Sequence, residues 1–307
     1  MTVLPVAPHP ARPALHPAAP APHPAAPASA PALASAPAPV PARAPSSVPA
    51  PASASGPASA GAPEPAYRVS LATCQEDVRA AQRLRHLVFA GELGARLDGP
   101  EPGLDSDAFD AYCDHLLVRE TATGDVVATY RLLPPGRARI AGGLYAESEF
   151  DLSRLAPIRH DLVEVGRSCV HPAHRDGAVI ALLWAGLARY MERTGHTWIA
   201  GCCSLPLADG GASAARSWNT VRASHLAPQE HRVTPHRLWD SSAHGTEAGS
   251  RADLPPLLRG YLRLGAQVCG APAYDPDFNV ADLYVLLSMR RTDPRYLRHF
   301  LSLAPLR

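Results

Sequence analysis

The chain has 307 residues and a formal net charge of +1, with 29 basic residues that are all arginine and 28 acidic ones. The absence of lysine excludes Schiff-base chemistry and lysine-dependent phosphate loops, and the balanced charge gives no basic excess for nucleic acid. Six cysteines (Cys74, Cys113, Cys169, Cys202, Cys203, Cys269) form no CxxC pair, so neither a disulfide framework nor a zinc knuckle is indicated and a reducing cytoplasm is expected.

Residues 1–66 hold 19 of the 34 prolines, set among Ala and Ser. They cannot bury a core, which predicts a disordered, partly polyproline-like tail or tether. Proline every few residues and no basic residue before Arg12 argue against a signal peptide, so secretion is not expected. The tail carries only Arg12, Arg43 and Glu64, leaving Tyr67–Arg307 with 27 charges of each sign. That is enough chain for one large domain. The longest apolar run, "AVIALLWAGLA" from Ala178, falls short of the roughly 20 residues of a membrane span.

In chain order, "YRVSLAT" from Tyr67 predicts a first strand. "QEDVRAAQRLRHLVFAGELG" from Gln75 carries a helical apolar stripe ending at Gly94. After a Gly/Pro/Asp-rich loop to Asp107, "HLLVRETATGDVVATYRLLPP" predicts a hairpin that turns at Thr123-Gly124-Asp125 and stops at Pro134-Pro135. "LVEVGRSCVHPAHRDG" from Leu162 is the next strand. Then comes a helix from Arg175, capped by Asp176 and closed by Gly195, and "TWIAGCCS" as a buried strand. Strand, helix, strand in that order predicts a βαβ unit with parallel strands, and a ligand site where the first strand meets the helix N-terminus. Beyond Ser204, "AARSWNTVRASHL" is a helical candidate, Leu254 to Leu264 a clear helix, "DLYVLLSM" from Asp282 a strand and "PRYLRHFLSL" a closing helix.

The strand from Leu162 poses the chemical question, because it carries Glu164 and Arg167 in an otherwise apolar run. Buried charge is costly unless it is paired or functional. Three-residue spacing puts the two on opposite faces of a regular strand. Gly166 is expected to mark a β-bulge that turns both into one cleft.

At this point the chain resembles the GCN5-related N-acyltransferase superfamily, and within it the ornithine–acyl carrier protein N-acyltransferase (hemolysin-like) branch related to acyl-homoserine lactone synthases. The resemblance rests on ordered blocks: "RLRHLVFAGELGA", "DAFDAYCDHLLV", "VVATYRLLPP", "YAESEFDLSRL", "VEVGRSCVHPAHR", "LPPLLRGYLRLGA" and "DPDFNVADLYVLL". They span Tyr67 to Arg307. The resemblance implies an α/β fold with a central mixed twisted sheet flanked by helices, whose bulge splays two parallel strands. It also implies transfer of a (3-hydroxy)acyl chain from acyl carrier protein to the α-amine of ornithine. Metal and organic cofactor are not required, and the phosphopantetheine arrives on the carrier protein.

By the same resemblance, Glu164 and Arg167 match the catalytic pair, and Arg85, Phe89, Asp107, Asp110 and Arg131 match positions near the acceptor. Arg175 and Gly177 match the phosphate loop, here shorter and with one glycine, which suits the single phosphate of a phosphopantetheine arm at a helix N-terminus. An ordinary glutamate titrates near ~4.3, and arginine would lower that. Glu164 is therefore expected to orient the amine or relay its proton through water, with Asp107 and Asp110 holding a cationic acceptor.

The structural alternatives are an ion pair for Glu164 and Arg167, capping for Asp107 and Asp110, and core packing for Phe89 and for the Trp184 helix face. His171 and His174 lack a third metal ligand nearby. Cys169, Cys202 and Cys203 have no His/Asp arrangement for an acyl-enzyme, so direct transfer is expected. Arg290, Arg291, Arg295 and Arg298 would suit acidic carrier protein or anionic lipid at the inner face of the cytoplasmic membrane. Two other functions fit the same blocks. One is a lactone-type signal synthase or an acyltransferase for another amino acid, and the other a non-catalytic carrier-binding module.

Overall fold

The computed structural model describes residues 65–97, 99–175, 177–250 and 253–303, and glycine and proline punctuation divides these described residues into ten strands and six α-helices. The tail expected over 1–66 lies outside the described residues except for Pro65 and Ala66. These two are tied to the hairpin turn through their carbonyls, which accept from the Thr121 hydroxyl and the Thr121 N–H.

The main sheet is built from β1 (Tyr67–Leu71), β2 (Asp114–Glu120), β3 (Val126–Leu133), β5 (Leu162–Val170), β6 (Trp198–Pro206) and β10 (Val280–Ser288), in that spatial order. Short β8 (Gln267–Val268) and β9 (Ala273–Asp275) pair with β10, and β4 (Phe150–Asp151) pairs with β7 (Thr234–Pro235) in a separate ribbon. Every pairing in the main sheet is antiparallel except β5 with β6. The mixed sheet and its one parallel βαβ unit are those expected from the sequence.

Successive strand residues divide between two cores. Leu132, Val163, Ile199 and Leu283 face a large core with α3 (Ala178–Thr194) and α5 (Pro256–Arg263). Their neighbours Leu133, Leu162, Ala200 and Tyr284 face a second core under the turn-rich segment around Phe150. Both faces are thus covered, which is why all nine residues of β10 are buried and, Asp282 and Ser288 apart, apolar without alternation. Gly186 lets α3 approach the sheet: a Cβ there would meet Val69 Cγ1 at 2.7 Å. α6 (Pro294–Leu303) packs on α3, where Phe300 stacks on Trp184, itself tilted against Tyr261, so this helix face is packing as expected.

α1 (Gln75–His86) places Glu76 and Asp77 in its first turn and Arg83, Arg85 and His86 in its last, complementing the helix dipole. It continues as a wider π turn, Leu87–Glu92. The hairpin does not simply stop at its prolines: Pro135 takes the first position of α2 (Pro135–Ile140), where its missing N–H is no loss. α4 (Ala212–Ser224) is the helix expected after Ser204.

Candidate active site

The parallel ladder between β5 and β6 lasts only three residues, from Leu162↔Trp198 to Glu164↔Ala200. Beyond it the strands part. Gly201 allows a last close approach before the split, since a Cβ there would lie 2.0 Å from the Val165 carbonyl oxygen. A cleft of about 470 Å³ opens in the gap. Its walls include the consecutive residues Tyr130/Arg131, Glu164/Val165 and Cys202/Cys203. Consecutive strand residues point to opposite faces, so the cleft runs through the sheet. Arg131, Glu164 and Cys202 face one side, with Tyr145, Glu149 and Asp282. On the other side Tyr130, Val165 and Cys203 join Tyr261 and Leu257.

The bulge is present, one residue further on than Gly166. Between Arg131↔Gly166 and Thr129↔Cys169, β5 has two residues, Arg167 and Ser168, opposite Tyr130 alone. Arg167 takes the left-handed φ of +49° that the extra residue imposes. Among the described residues only Arg167 and Asn279 are non-glycines at positive φ. Both line the cleft, and such strained backbone concentrates at functional sites. Glu164 and Arg167 thereby share one cavity despite their odd spacing.

Glu164 is buried, and its carboxylate accepts the backbone N–H groups of Tyr145 (2.6 Å) and Ala146 (3.0 Å). Burial pushes its carboxyl up to about 7 against those two hydrogen bonds and the positive charge of Arg131. The expectation that arginine would hold it low is therefore corrected: desolvation outweighs the nearby charge. Each carboxylate oxygen keeps a second lone pair, so Glu164 can still accept from a substrate N–H.

Behind this wall six charges close a ring. Arg85 pairs with Asp105 (2.9 Å) and Asp110 (2.8 Å), and Arg131 with Asp110 (3.3 Å) and Asp107 (2.7 Å). Arg167 lies 3.8 Å from Asp107 and 3.4 Å from Asp105. Asp107 also caps the turn Ala108–Tyr112 through the Phe109 N–H. Burial alone would raise the Asp110 carboxyl, but Arg85, Arg131 and Gln82 hold it well below the ordinary range. Arg85, Asp107 and Asp110 do not line the cleft, so the acceptor contacts expected of them are replaced by a supporting role. Arg131 does reach the cleft, under the Phe109 and Tyr145 rings. Phe89 is both core and cleft wall, edge-on to Phe278. The looser member is Arg167, whose guanidinium lies over the rings of Tyr145 and Phe278 and whose Nε has no hydrogen-bond partner.

A second acidic group was missed in the sequence. Glu149, Asp275 and Asp282 all line the cleft, and each offers an oxygen within 4.8 Å of the others. Asp282 accepts from the Ser204 hydroxyl, and Asp275 from the Asp277 and Phe278 N–H groups. No arginine forms an ion pair with any of the three among the described residues. Burial and mutual repulsion raise the carboxyls of both Glu149 and Asp282 above the ordinary range. This is the group that could hold a cation, whether an ammonium or a metal ion. Its members come from segments more than 120 residues apart. All lie in two blocks already singled out, "YAESEF" and "DPDFNVADLY".

Arg175 and Gly177 do not line the cleft, although Glu92, the ion-pair partner of Arg175, does. Arg175 makes a two-pronged ion pair with Glu92 (2.6 and 2.7 Å), and Gly177 precedes α3 at a φ of +93°. Asp176, the expected cap, lies outside the described residues. His171 accepts from the Ala173 N–H and His174 contacts the Tyr67 hydroxyl, so both are occupied in loop structure. Burial pushes the thiols of Cys169 and Cys203 up to about 12 and that of Cys202 well above its usual value, which disfavours the thiolate at all three.

Splayed parallel strands beside a bulge, with a buried carboxyl near neutrality in the gap, define an acyltransferase of the GNAT class. Residues 84–185 match the family model described as an acetyltransferase (GNAT) domain. The chain belongs to the L-ornithine N(alpha)-acyltransferase family. It is 34% identical over 249 residues to the L-ornithine N(alpha)-acyltransferase of Brucella abortus, covering 76% of this chain and 88% of that protein. With the enzyme of the same name from Rhodobacter capsulatus it shares 34% identity over 245 residues, 75% of this chain and 93% of that one. A solved structure of the CoA-dependent acyl-homoserine lactone synthase BjaI, with SAM and isopentyl-CoA, aligns at a TM-score of 0.46 and 18% identity over 76% of this chain and 87% of that one.

Proposed function

We propose that the protein transfers an acyl chain, 3-hydroxylated by preference, from the phosphopantetheine thioester of acyl carrier protein to the α-amine of ornithine. The product is a lyso-ornithine lipid. The observation that carries this reading is the two-sided cleft, charged on one face of the sheet and apolar on the other. An amino acid with a distal ammonium suits the charged side. Arg167 meets its carboxylate, the Glu149/Asp275/Asp282 group its distal ammonium, and Glu164 its α-amine.

In this arrangement Glu164 takes a proton from the α-ammonium and orients the neutral amine towards the thioester carbon. Attack forms the C–N bond and places negative charge on the carbonyl oxygen. In this reading backbone N–H groups at the split between β5 and β6 stabilise it. Collapse breaks the C–S bond; Glu164 gives the proton it holds to the departing thiolate, takes the second amine proton, and releases that one to solvent to restore the carboxylate. A value near 7 lets the same carboxyl accept and return that proton. No chemical step requires a metal. No helix among the described residues is long and apolar enough to cross a membrane. Arg290, Arg291, Arg295 and Arg298 are exposed at and beside α6, a surface suited to acidic carrier protein or to anionic lipid at the inner face of the cytoplasmic membrane.

The test is mass spectrometry of reactions containing the full chain, ornithine and 3-hydroxyacyl carrier protein. An Nα-acylornithine that disappears with Glu164→Ala is expected. Carrier binding without any amide product would support the binding-module alternative instead.

A further inference from the structure

The apolar half of the cleft contains one polar spot. Tyr130 on β3 and Tyr261 on α5 come from opposite walls, are both buried, and hydrogen-bond to each other through their hydroxyls. Two phenols carry two hydroxyl hydrogens, and this contact uses one. Among the described residues the other has no acceptor, although both rings line the cleft. Val165, Ile199, Val285 and Leu287 enclose a further space of about 20 Å³ beside the pair, room for no more than a single water. The tyrosines therefore stand as the floor of the apolar half.

Their place on the path of the donor follows from the strand register. The parallel ladder ends at Glu164↔Ala200, and Tyr130 sits on the adjoining strand opposite the bulge. A thioester carbonyl at the split therefore lies within one or two strand spacings, roughly 5–10 Å, of the pair. The first few carbons of the chain would cross it. A plain hydrocarbon there leaves the buried hydroxyl hydrogen without a partner, whereas a chain bearing an oxygen satisfies it.

We propose that the Tyr130–Tyr261 pair is the specificity element for the acyl donor, hydrogen-bonding an oxygen substituent close to the thioester so that hydroxylated chains are preferred to plain ones. This rests on the proposed transfer to ornithine and names the residues that read the donor. Either tyrosine alone keeps a hydroxyl able to donate, so the single phenylalanine variants should lose part of the preference and the double variant nearly all of it.

The experiment is a competition. The full-length protein and ornithine are mixed with equal amounts of carrier protein bearing 3-hydroxyhexadecanoyl and hexadecanoyl chains, and the ratio of the two amides is read by mass spectrometry. A ratio is insensitive to how much of a variant is folded. Wild type should favour the hydroxylated product about tenfold or more, the worth of one buried hydrogen bond, and Tyr130→Phe/Tyr261→Phe should bring the ratio near one. An unchanged ratio in the double variant would overturn the inference alone, whereas equal products from wild type would overturn it together with the preference for hydroxylated chains and leave the ornithine acceptor standing. No ornithine amide from either donor would overturn the acceptor reading, and the inference with it.

Discussion

Asp105, Asp107 and Asp110 behind the cleft wall, and Glu149, Asp275 and Asp282 lining the cleft, are two groups of three carboxylates under opposite electrostatic conditions. The first alternates with Arg85, Arg131 and Arg167 in a ring of six charges, and Asp110 is held far below the ordinary carboxylate range. In the second, burial and mutual repulsion raise the carboxyls of Glu149 and Asp282 above the ordinary range. Arginine supplied from within the chain makes the first group part of the framework. The second lacks its cation, which is the condition of a site that receives one with its substrate.

Removing one ring partner should have the largest effect. Arg85→Met leaves Asp105 and Asp110 buried without their main counter-charge, a loss of about 3–5 kcal/mol, or on the order of 10 °C in melting temperature for a domain of this size. Calorimetry checks it, and a shift within 2 °C or so would mean the ring is not structural. Next in size is catalysis. Glu164→Gln should lower kcat at least about a hundredfold, the usual worth of a general base. It should also abolish an inflection near pH 7, below which wild-type activity falls as Glu164 takes up a proton. A pH–rate profile that keeps this inflection in the variant would assign it to another group.

The second acidic group should respond in the opposite sense to the ring. Its raised carboxyls mean that the folded protein binds more protons than the unfolded chain above the ordinary carboxylate range, so stability declines as pH rises. Glu149→Gln should therefore raise the melting temperature at pH 8 to 9 while raising KM for ornithine about tenfold or more. A variant that loses stability there would show that the contacts of Glu149 with Cys202 and Asp282 outweigh the repulsion. The smallest effect is expected at Arg167. Arg167→Gln should weaken acceptor KM by roughly tenfold, one charged hydrogen bond, with little change in melting temperature because Arg167 makes the longest contacts in the ring.

Local signals made much of this legible from sequence. Gly195 and the Thr123-Gly124-Asp125 turn marked element ends, and the charged pair in an apolar strand pointed to β5 before any coordinates. Gly166 pointed to the bulge but not to its register, because the extra residue is defined only by the facing strand β3. Asp107 and Asp110 looked like acceptor ligands because sequence does not reveal that Arg85 and Arg131 already neutralise them. The Glu149/Asp275/Asp282 group was invisible for a related reason. It forms only when β10 packs beside β6 and brings the β9–β10 turn against the segment before β4. Glu164 was misjudged in its titration because burial, the dominant influence, is a property of the fold.

The most direct measurement of the central claim compares kcat/KM for ornithine with that for norvaline, which has the same carbon skeleton without the distal ammonium, in wild type and in Glu149→Gln/Asp282→Asn. The account predicts that wild type prefers ornithine by about a hundredfold or more, since a site built for a charged group strongly rejects the analogue lacking it, and that the variant treats the two nearly alike. A variant that retains the wild-type preference would contradict it, and would place recognition of the distal ammonium elsewhere in the cleft.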